Sequence, residues 1–147
     1  MRDNWEATIL NAETQRRCDA EKVENILSEQ IREAAIEVHR TLGGPGLLES
    51  LYDDALCFEL RQRNIPVQSQ VLIPVIYKNH ALRDPMRLDL LVDNKVIIEV
   101  KATEKNLAVY TAQVLTYLRL TGLKLGLIIN FGQGRLMEGW TRVVNNL

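Results

Sequence analysis

Two acidic residues and a lysine occur close together in a segment whose side chains alternate between apolar and polar. The segment runs Arg87-Leu88-Asp89-Leu90-Leu91-Val92, then Asp93-Asn94-Lys95, then Val96-Ile97-Ile98-Glu99-Val100-Lys101. Apolar stretches on both sides of a polar turn predict two antiparallel strands joined as a hairpin. Carboxylate oxygens from neighbouring strands are donors that Mg²⁺ and Mn²⁺ prefer. An adjacent ammonium group can hold a water molecule or an anionic oxygen.

The register of this hairpin decides whether the two carboxylates meet. A two-residue turn at Asp93-Asn94 would place Asp89 opposite Ile98 and mix charged and apolar side chains on both faces. A three-residue loop instead places the apolar side chains of both strands together on one face. We expect this loop because a one-residue slip would send every side chain to the wrong face. Asn94 can supply the left-handed residue of such a loop. The expected pairs are Arg87–Lys101, Asp89–Glu99 and Leu91–Ile97 on one face, and Leu88–Val100, Leu90–Ile98 and Val92–Val96 on the apolar face.

Opposed carboxylates on adjacent strands repel each other, which a sheet ordinarily avoids. The strand around Glu99 is apolar enough to be central, so both charges are expected to be partly desolvated. A divalent cation between Asp89 and Glu99 would make the pair acceptable, and Lys101 would lie on the same face. In the alternative interpretation, the hairpin faces solvent and its charges are ordinary surface charges. Both interpretations stay open on these residues alone.

The elements that must position these residues alternate between helical and extended patterns. We predict helices from Ser28 to Leu42, from Leu47 to Arg63 and from Leu107 to Thr121. Strands are predicted for Val67–Tyr77 (with a bulge or edge position at Pro74), Met86–Val92, Val96–Lys101 and Leu125–Asn130, a turn for Lys78-Asn79-His80, and a last strand or strand-helix piece for Met137–Val144. Residues 1–27 are expected to form a polar N-terminal arm or short helix. Residues 28–147 then form a single α/β domain with a mixed sheet.

Composition excludes several classes of protein. The chain has 147 residues, of which 46% are hydrophobic and 25% charged, as expected for one globular domain with its own core. No apolar run approaches a membrane span, and Met1–Trp5 is not a hydrophobic signal segment. Cys18 and Cys57 lack metal-ligand spacing. We therefore expect a cytoplasmic protein with reduced thiols, no zinc site and no membrane partner.

Charge and aromatic content limit the possible modes of nucleic-acid binding. The net charge is −1, so no global positive field attracts a polyanion. Residues 95–147 carry seven Lys/Arg against three Asp/Glu, which is compatible with phosphate contacts. Aromatic residues make up 5% of the chain, so we do not expect an extended base-stacking platform.

Four motifs in a fixed order resemble the PD-(D/E)XK nuclease superfamily. Two of them are Asp89 and, ten residues later, Glu99-Val100-Lys101. Gln113 and Tyr117 reproduce a QxxxY pattern on the next predicted helix, and Gly46–Tyr52 is a GxxExxY match, typical of the GxxExxY protein family of that superfamily. The segments 34–42 and 123–131 are also similar to that family. The resemblance implies a restriction-endonuclease-like core in which helices flank a mixed β-sheet (α-β-β-β-α-β), with an extra N-terminal helix.

Roles for individual residues follow from this resemblance. Asp89 and Glu99 would hold Mg²⁺ or Mn²⁺, with the Val100 carbonyl as a further ligand. Lys101 would orient the attacking water or stabilise charge on the phosphate. Glu49 would complete the metal site. Its alternative role is that of a first-turn acid that complements the helix dipole.

Other candidates have supporting or alternative roles. Tyr52 is expected to support the site through the core or a hydrogen bond. Gln113 and Tyr117 lie four residues apart, and they would either bracket the site and touch phosphate or form a half-buried helix face. His39 is expected to be structural. Asp84, which precedes Pro85, is an alternative metal aspartate outside the alternating strand.

The resemblance implies an enzyme, a Mg²⁺-dependent nuclease that hydrolyses phosphodiester bonds of nucleic acid, with DNA as the expected substrate. Two alternatives stay open. One is a non-catalytic nucleic-acid- or protein-binding module with a nuclease-like fold. The other is an RNase subunit of a larger complex. A homodimer or a larger assembly is compatible with either.

Overall fold

The N-terminal helix is much longer than predicted. The computed structural model describes residues 5–147, so residues 1–4 of the predicted arm lie outside the described part. Helix α1 spans Trp5–Leu42, whereas the sequence predicted a start at Ser28. It continues because neither Gly nor Pro interrupts it before Gly43. Its buried side chains begin at Glu24, and the division between an arm and a domain at residues 27 and 28 stays a prediction.

The remaining elements follow the predicted order. They are α2 (Glu49–Gln62), β1 (Val67–Ile73), β2 (Ile76–Tyr77), β3 (His80–Ala81), β4 (Met86–Val92), β5 (Val96–Lys101), α3 (Ala108–Thr121), β6 (Leu125–Asn130), a short 3₁₀ helix (Leu136–Gly139) and β7 (Trp140–Val144). The strand predicted for residues 67–77 is broken around Pro74, because proline cannot donate to a strand ladder. Strands β2 and β3 form a separate hairpin around the predicted turn.

A five-stranded mixed sheet organises the core. Its strand order is β1-β4-β5-β6-β7, with β5 and β6 parallel and the other neighbours antiparallel. Helices α1 and α2 cover one face in the larger apolar cluster, and α3 covers the other in a smaller one. This arrangement confirms the predicted α/β class and the mixed sheet flanked by helices. Among residues 5–147, no helix is long and apolar enough to cross a membrane.

The predicted register of the β4–β5 hairpin is confirmed for the three pairs nearest the turn, but the ladder ends there, and the predicted pairs Asp89–Glu99, Leu88–Val100 and Arg87–Lys101 are not part of it. Val92 pairs with Val96, Leu91 with Ile97 and Leu90 with Ile98. The loop contains two left-handed residues, Asp93 (φ 50°) and Asn94 (φ 53°), whereas only Asn94 was expected to adopt this conformation. Burial of the apolar pairs therefore selected the register, as expected.

The predicted apolar face is wrong at one residue. Leu88 packs in the α3 cluster, whereas Val100, its expected partner, packs in the α1–α2 cluster. Next to Leu88, the β1–β4 ladder skips the pair formed by Gln70, whose φ is 55°, and Asp89. One left-handed residue turns the backbone about the strand axis, so side chains beyond it change faces. Along β1, Val67 accordingly packs with the α1–α2 cluster and Val71 with the α3 cluster.

The close packing of α3 on the sheet gives a first prediction. A Cβ atom added at Gly126 would collide with Cγ1 of Val114, a fully buried residue of α3. Because a β-branched side chain has one strongly preferred rotamer in a helix, α3 must shift. Gly126→Ala should destabilise the fold by about 1–3 kcal/mol in chemical denaturation. Gly134→Ala is the matched control, since nothing lies within 4 Å of its added Cβ. Equal stability of the two variants would contradict this packing.

Candidate active site

Asp89 lies where strands β4 and β5 stop pairing. The ladder between them ends at Leu90–Ile98. Two residues further along β5, the backbone N–H group of Val100 donates to Oδ2 of Asp89 at 2.8 Å. Burial raises the pKa of Asp89, while this hydrogen bond and the Lys101 ammonium oppose the increase. The carboxylate thus replaces a backbone acceptor at this point of the sheet.

Glu99 is an almost fully buried carboxylate on a central strand. It is one of four buried polar or charged residues among residues 5–147, with 4% of its surface exposed. Oε1 lies 3.2 Å from Nζ of Lys101, and Oε2 has no hydrogen-bond partner in the described part of the chain. Burial, reinforced by the negative charge of Asp89, raises the pKa of Glu99 to about 7 despite the lysine.

Lys101 is held from two sides. Besides Glu99, the ring of Tyr110 on α3 lies under the ammonium, 4.7 Å from Nζ to its centroid. Burial lowers the pKa of Lys101, but Glu99, Glu49 and Asp89 more than offset this effect, and the pKa is raised. Lys101 therefore stays charged at neutral pH. Sequence reasoning missed Tyr110, although it lies three residues before Gln113 on the same helical face.

Glu49 is the first residue of α2, which covers the face of the sheet opposite to α3. Burial raises its pKa, Lys101 lowers it, Asp89 raises it again, and a backbone hydrogen bond with Ala102 lowers it. Glu49 and Asp89 line the same cavity, which places the two carboxylates near each other. The structure thus brings together Glu49, Asp89, Glu99 and Lys101.

A second acid of α2 also faces the site, and sequence reasoning missed it. Asp53 lies one helical turn after Glu49, a spacing that could have indicated it. Its Oδ2 accepts a hydrogen bond from Nε2 of Gln70 at 3.2 Å, whereas its buried Oδ1 has no partner among the described residues. Burial, then Asp89, raises its pKa to about 6. Asp53 and Gln70 line a cavity of about 230 Å³ together with Glu49, Ser50 and Asp89.

Gln113 and Tyr117, the two residues predicted to act together on one helix, both lie on α3. Nε2 of Gln113 donates to the hydroxyl of Tyr117 at 2.7 Å. Tyr117 is buried, and its pKa is raised by burial and then by the charge of Glu99. The charge of Glu99 therefore disfavours ionisation of the Tyr117 hydroxyl. Whether Gln113 and Tyr117 touch phosphate stays a prediction.

Several other candidates lie away from the acidic group. The fully buried Tyr52 donates its hydroxyl to the Gly43 carbonyl at 3.0 Å and stacks on Phe131. His39 contacts the Gln133 carbonyl at 2.9 Å, a structural role. Asp84 is exposed in the loop before β4. Val100, by contrast, lies at the acidic group: its side chain is buried in the core, but its backbone N–H donates to Asp89.

The family assignment rests on most of the chain. A family model described as the PD-(D/E)XK nuclease superfamily matches residues 25–143. The chain belongs to the PD-(D/E)XK nuclease superfamily. No curated protein and no solved structure matches it significantly. Proteins of this superfamily are typically nucleases, and the mixed sheet flanked by helices agrees with its fold.

The acidic residues fit the metals that PD-(D/E)XK nucleases generally use, Mg²⁺ and Mn²⁺. Their donors are hard carboxylate oxygens, and the buried Oε2 of Glu99 lacks a partner. Among residues 5–147, however, no three acidic, histidine or cysteine side chains converge closely enough to hold an ion. Asp89 turns to the Val100 N–H and Glu99 to Lys101. An ion would have to compete with these two contacts and draw the carboxylates together.

The raised pKa of Glu99 predicts how the stability of the metal-free protein changes with pH. Between about pH 4.5, the ordinary value for glutamate, and about pH 7, the folded state binds more protons than the unfolded state. Stability therefore falls as pH rises through this window. Glu99→Gln removes the cost of the buried charge. In chemical denaturation, the difference in the free energy of unfolding between Glu99→Gln and the wild type should therefore shift in favour of the variant by on the order of 2 kcal/mol between pH 5 and pH 8.

The control is Glu13→Gln, which changes an exposed acid on α1 and should follow the wild type at both pH values. A Glu99→Gln protein that is less stable than the wild type by the same amount at both pH values would contradict the prediction. That result would identify Glu99 as half of a structural ion pair with Lys101.

Proposed function

We propose that this chain is a Mg²⁺- or Mn²⁺-dependent nuclease that hydrolyses phosphodiester bonds, with DNA as the expected substrate. The observation that carries the proposal is the buried Glu99, which lies against Lys101 and interacts with Asp89 and Glu49 while its Oε2 has no partner. A purely structural ion-pair network would satisfy its buried oxygens. Clustered acids with raised pKa values are typical of functional sites, and superfamily membership supports the same interpretation.

In this proposal Asp89, Glu99 and Glu49 would hold the ion, with the Val100 carbonyl as a further ligand. When bound, the ion polarises a phosphoryl oxygen and lowers the pKa of a water molecule. The chemistry of the donor set supports this assignment, because all four groups are oxygen ligands.

Lys101 would interact with the substrate or the attacking water and would not bind the metal ion. A charged ammonium has no lone pair, so it cannot be a metal ligand. Its place beside Glu99 suits it to hold the attacking water or the negative charge that develops on the phosphate. Tyr110 limits the movement of the ammonium from the α3 side. Gln113 and Tyr117 would support the site next to it.

We also propose the finer family and cellular assignments. The GxxExxY motif begins at Gly46, whose φ of 132° favours glycine, and ends at Tyr52, which ties the start of α2 to the Gly43 carbonyl. The motif thus positions Glu49, which supports membership of the GxxExxY family. A cytoplasmic location and assembly as a homodimer or part of a larger complex complete the proposal.

A non-catalytic nucleic-acid- or protein-binding module is the second candidate. It is favoured by the separation of the acids, since no three of the described metal-ligating side chains converge. The intact Glu99 and Lys101 pair favours the enzyme. Comparing DNA with RNA substrates tests the further alternative of an RNase subunit.

The metal assignment can be tested by calorimetry. Mn²⁺ should bind the wild-type chain, and Asp89→Asn should abolish that binding because it removes a charged oxygen ligand. Asp84→Asn is the matched control, since Asp84 is the exposed aspartate of the loop before β4. Mn²⁺ binding that survives in Asp89→Asn, or that disappears in Asp84→Asn, would refute the assignment.

Cleavage assays test the enzyme itself and the role of Lys101. The wild-type chain should cut plasmid or single-stranded DNA in the presence of Mg²⁺ or Mn²⁺. Lys101→Ala should keep near-native Mn²⁺ affinity and lose on the order of 10²–10³ in kcat, because one preorganised donor to the developing charge is removed. Lys101→Arg should restore little, since a planar guanidinium does not replace a compact charge.

Two outcomes would contradict this proposal in different ways. A wild-type protein that cuts neither DNA nor RNA with either metal would favour the binding module. Cleavage by Lys101→Ala at the wild-type rate would leave the nuclease function standing and overturn the role of Lys101.

A further inference from the structure

The longest uninterrupted run of exposed residues in the described part of the chain comprises the β2–β3 hairpin and the loop that follows it. All ten residues from 76 to 85 are exposed, and we call this segment the β2–β3 ribbon. Its two strands pair only with each other, outside the five-stranded sheet. Such a segment buries little apolar surface of its own chain, so its side chains are available to a partner.

The β2–β3 ribbon projects from the end of the sheet that carries the candidate active site. It connects the end of β1 to the start of β4, where Ile73 pairs with Met86. Because β4 and β5 are antiparallel, the start of β4 lies at the same end of the sheet as Lys101, the last residue of β5. Arg87 then lies between the ribbon and Asp89, two residues from that acid.

The charge of this region is opposite to that of the site. Residues 76–87 contain three basic residues, Lys78, Arg83 and Arg87, and one acid, Asp84. All three basic side chains are exposed, and none of them forms a salt bridge within the described part of the chain. The whole chain has a net charge of −1, so this is a local excess of positive charge.

The geometry of the turn holds one of these cations at the tip. Lys78 (φ 46°) and Asn79 (φ 63°) are both left-handed, as in the tight turns that match the twist of a two-stranded ribbon. Nζ of Lys78 lies 5.4 Å from the centroid of the Tyr77 ring, and Tyr77 itself is 60% exposed. The tip therefore presents a cation whose side chain is restrained by a neighbouring ring.

We propose that the β2–β3 ribbon binds the sugar–phosphate backbone of nucleic acid next to the active site, through Lys78 and Arg83 with Arg87 at its base. This inference rests on the proposed function for its substrate. A site with four acids and one lysine repels a polyanion before a metal binds, so the attraction must come from cations nearby. Exposed Lys and Arg side chains, on the hairpin tip and on the loop that follows it, have the charge that a phosphate backbone attracts.

A binding assay without divalent cations separates this inference from catalysis. The affinity of labelled single-stranded and duplex DNA is measured by fluorescence anisotropy in a chelator at several salt concentrations. Lys78→Gln/Arg83→Gln should weaken binding to all sequences and reduce the slope of log affinity against log salt by about 2, one for each lost phosphate contact. Thermal unfolding should stay unchanged, because both side chains are exposed.

The matched control is Arg61→Gln/Arg119→Gln. It removes the same charge from exposed positions near the C-terminal ends of α2 and α3, at the opposite end of the sheet, and should leave affinity and slope unchanged. An equal loss in this control would overturn the inference, since it would show an effect of net charge alone.

The outcomes also separate the ribbon from the proposed function. Wild-type affinity and slope in Lys78→Gln/Arg83→Gln would overturn the ribbon inference, even if the protein cuts DNA. A wild-type protein that binds DNA through the ribbon but cuts no substrate with Mg²⁺ or Mn²⁺ would support the ribbon and overturn the nuclease. Absence of any DNA binding by the wild type would overturn the ribbon inference and leave a protein partner for this exposed segment.

Discussion

Burial of the Glu99 carboxylate is the constraint on which the candidate site depends. Strand β5 is central and covered on both faces, so Glu99 is removed from water with only Lys101 against one of its oxygens. Burying an ionised carboxylate costs several kcal/mol unless its partners are complete, and the raised pKa of Glu99 expresses that cost. The remaining oxygen stays without a partner in the described chain, so the fold holds a group whose cost a bound cation would offset.

The change of faces at Gln70 explains how residues from both sides of the sheet reach this carboxylate. Next to that left-handed residue, Leu90 and Leu88 of β4 pack on opposite faces of the sheet, and the β4–β5 ladder ends. The Val100 N–H group is left without a strand acceptor, and Asp89 supplies one. Asp89 thus lies at the boundary between the two layers, where it interacts with Glu49 of α2 and with Lys101, which contacts α3.

Sequence reasoning predicted what depends on hydrophobic pattern and missed what depends on backbone twist. The hairpin register followed from the apolar pairs, because only one register buries them all. The position of Leu88 did not follow, since strict alternation assumes a regular pleat and a left-handed Gln70 has no sequence signature. The first half of α1 was missed because helix prediction relies on an apolar stripe, and that half buries none. Asp53 was within reach, one helical turn from Glu49.

Acidic side chains are concentrated at the candidate site, whereas basic side chains are concentrated on the ribbon that projects from the same end of the sheet. The acids needed to hold a cation would by themselves repel a phosphate backbone. A bound divalent cation is the largest local charge in such a site and reverses that repulsion at short range. Screening limits attraction between exposed charges to about 8 Å in physiological salt, so cations that offset the repulsion by the acids must lie near them. Arg87, two residues from Asp89 at the base of the ribbon, lies closest along the chain to the acids, and the ribbon extends this basic surface outward from the sheet.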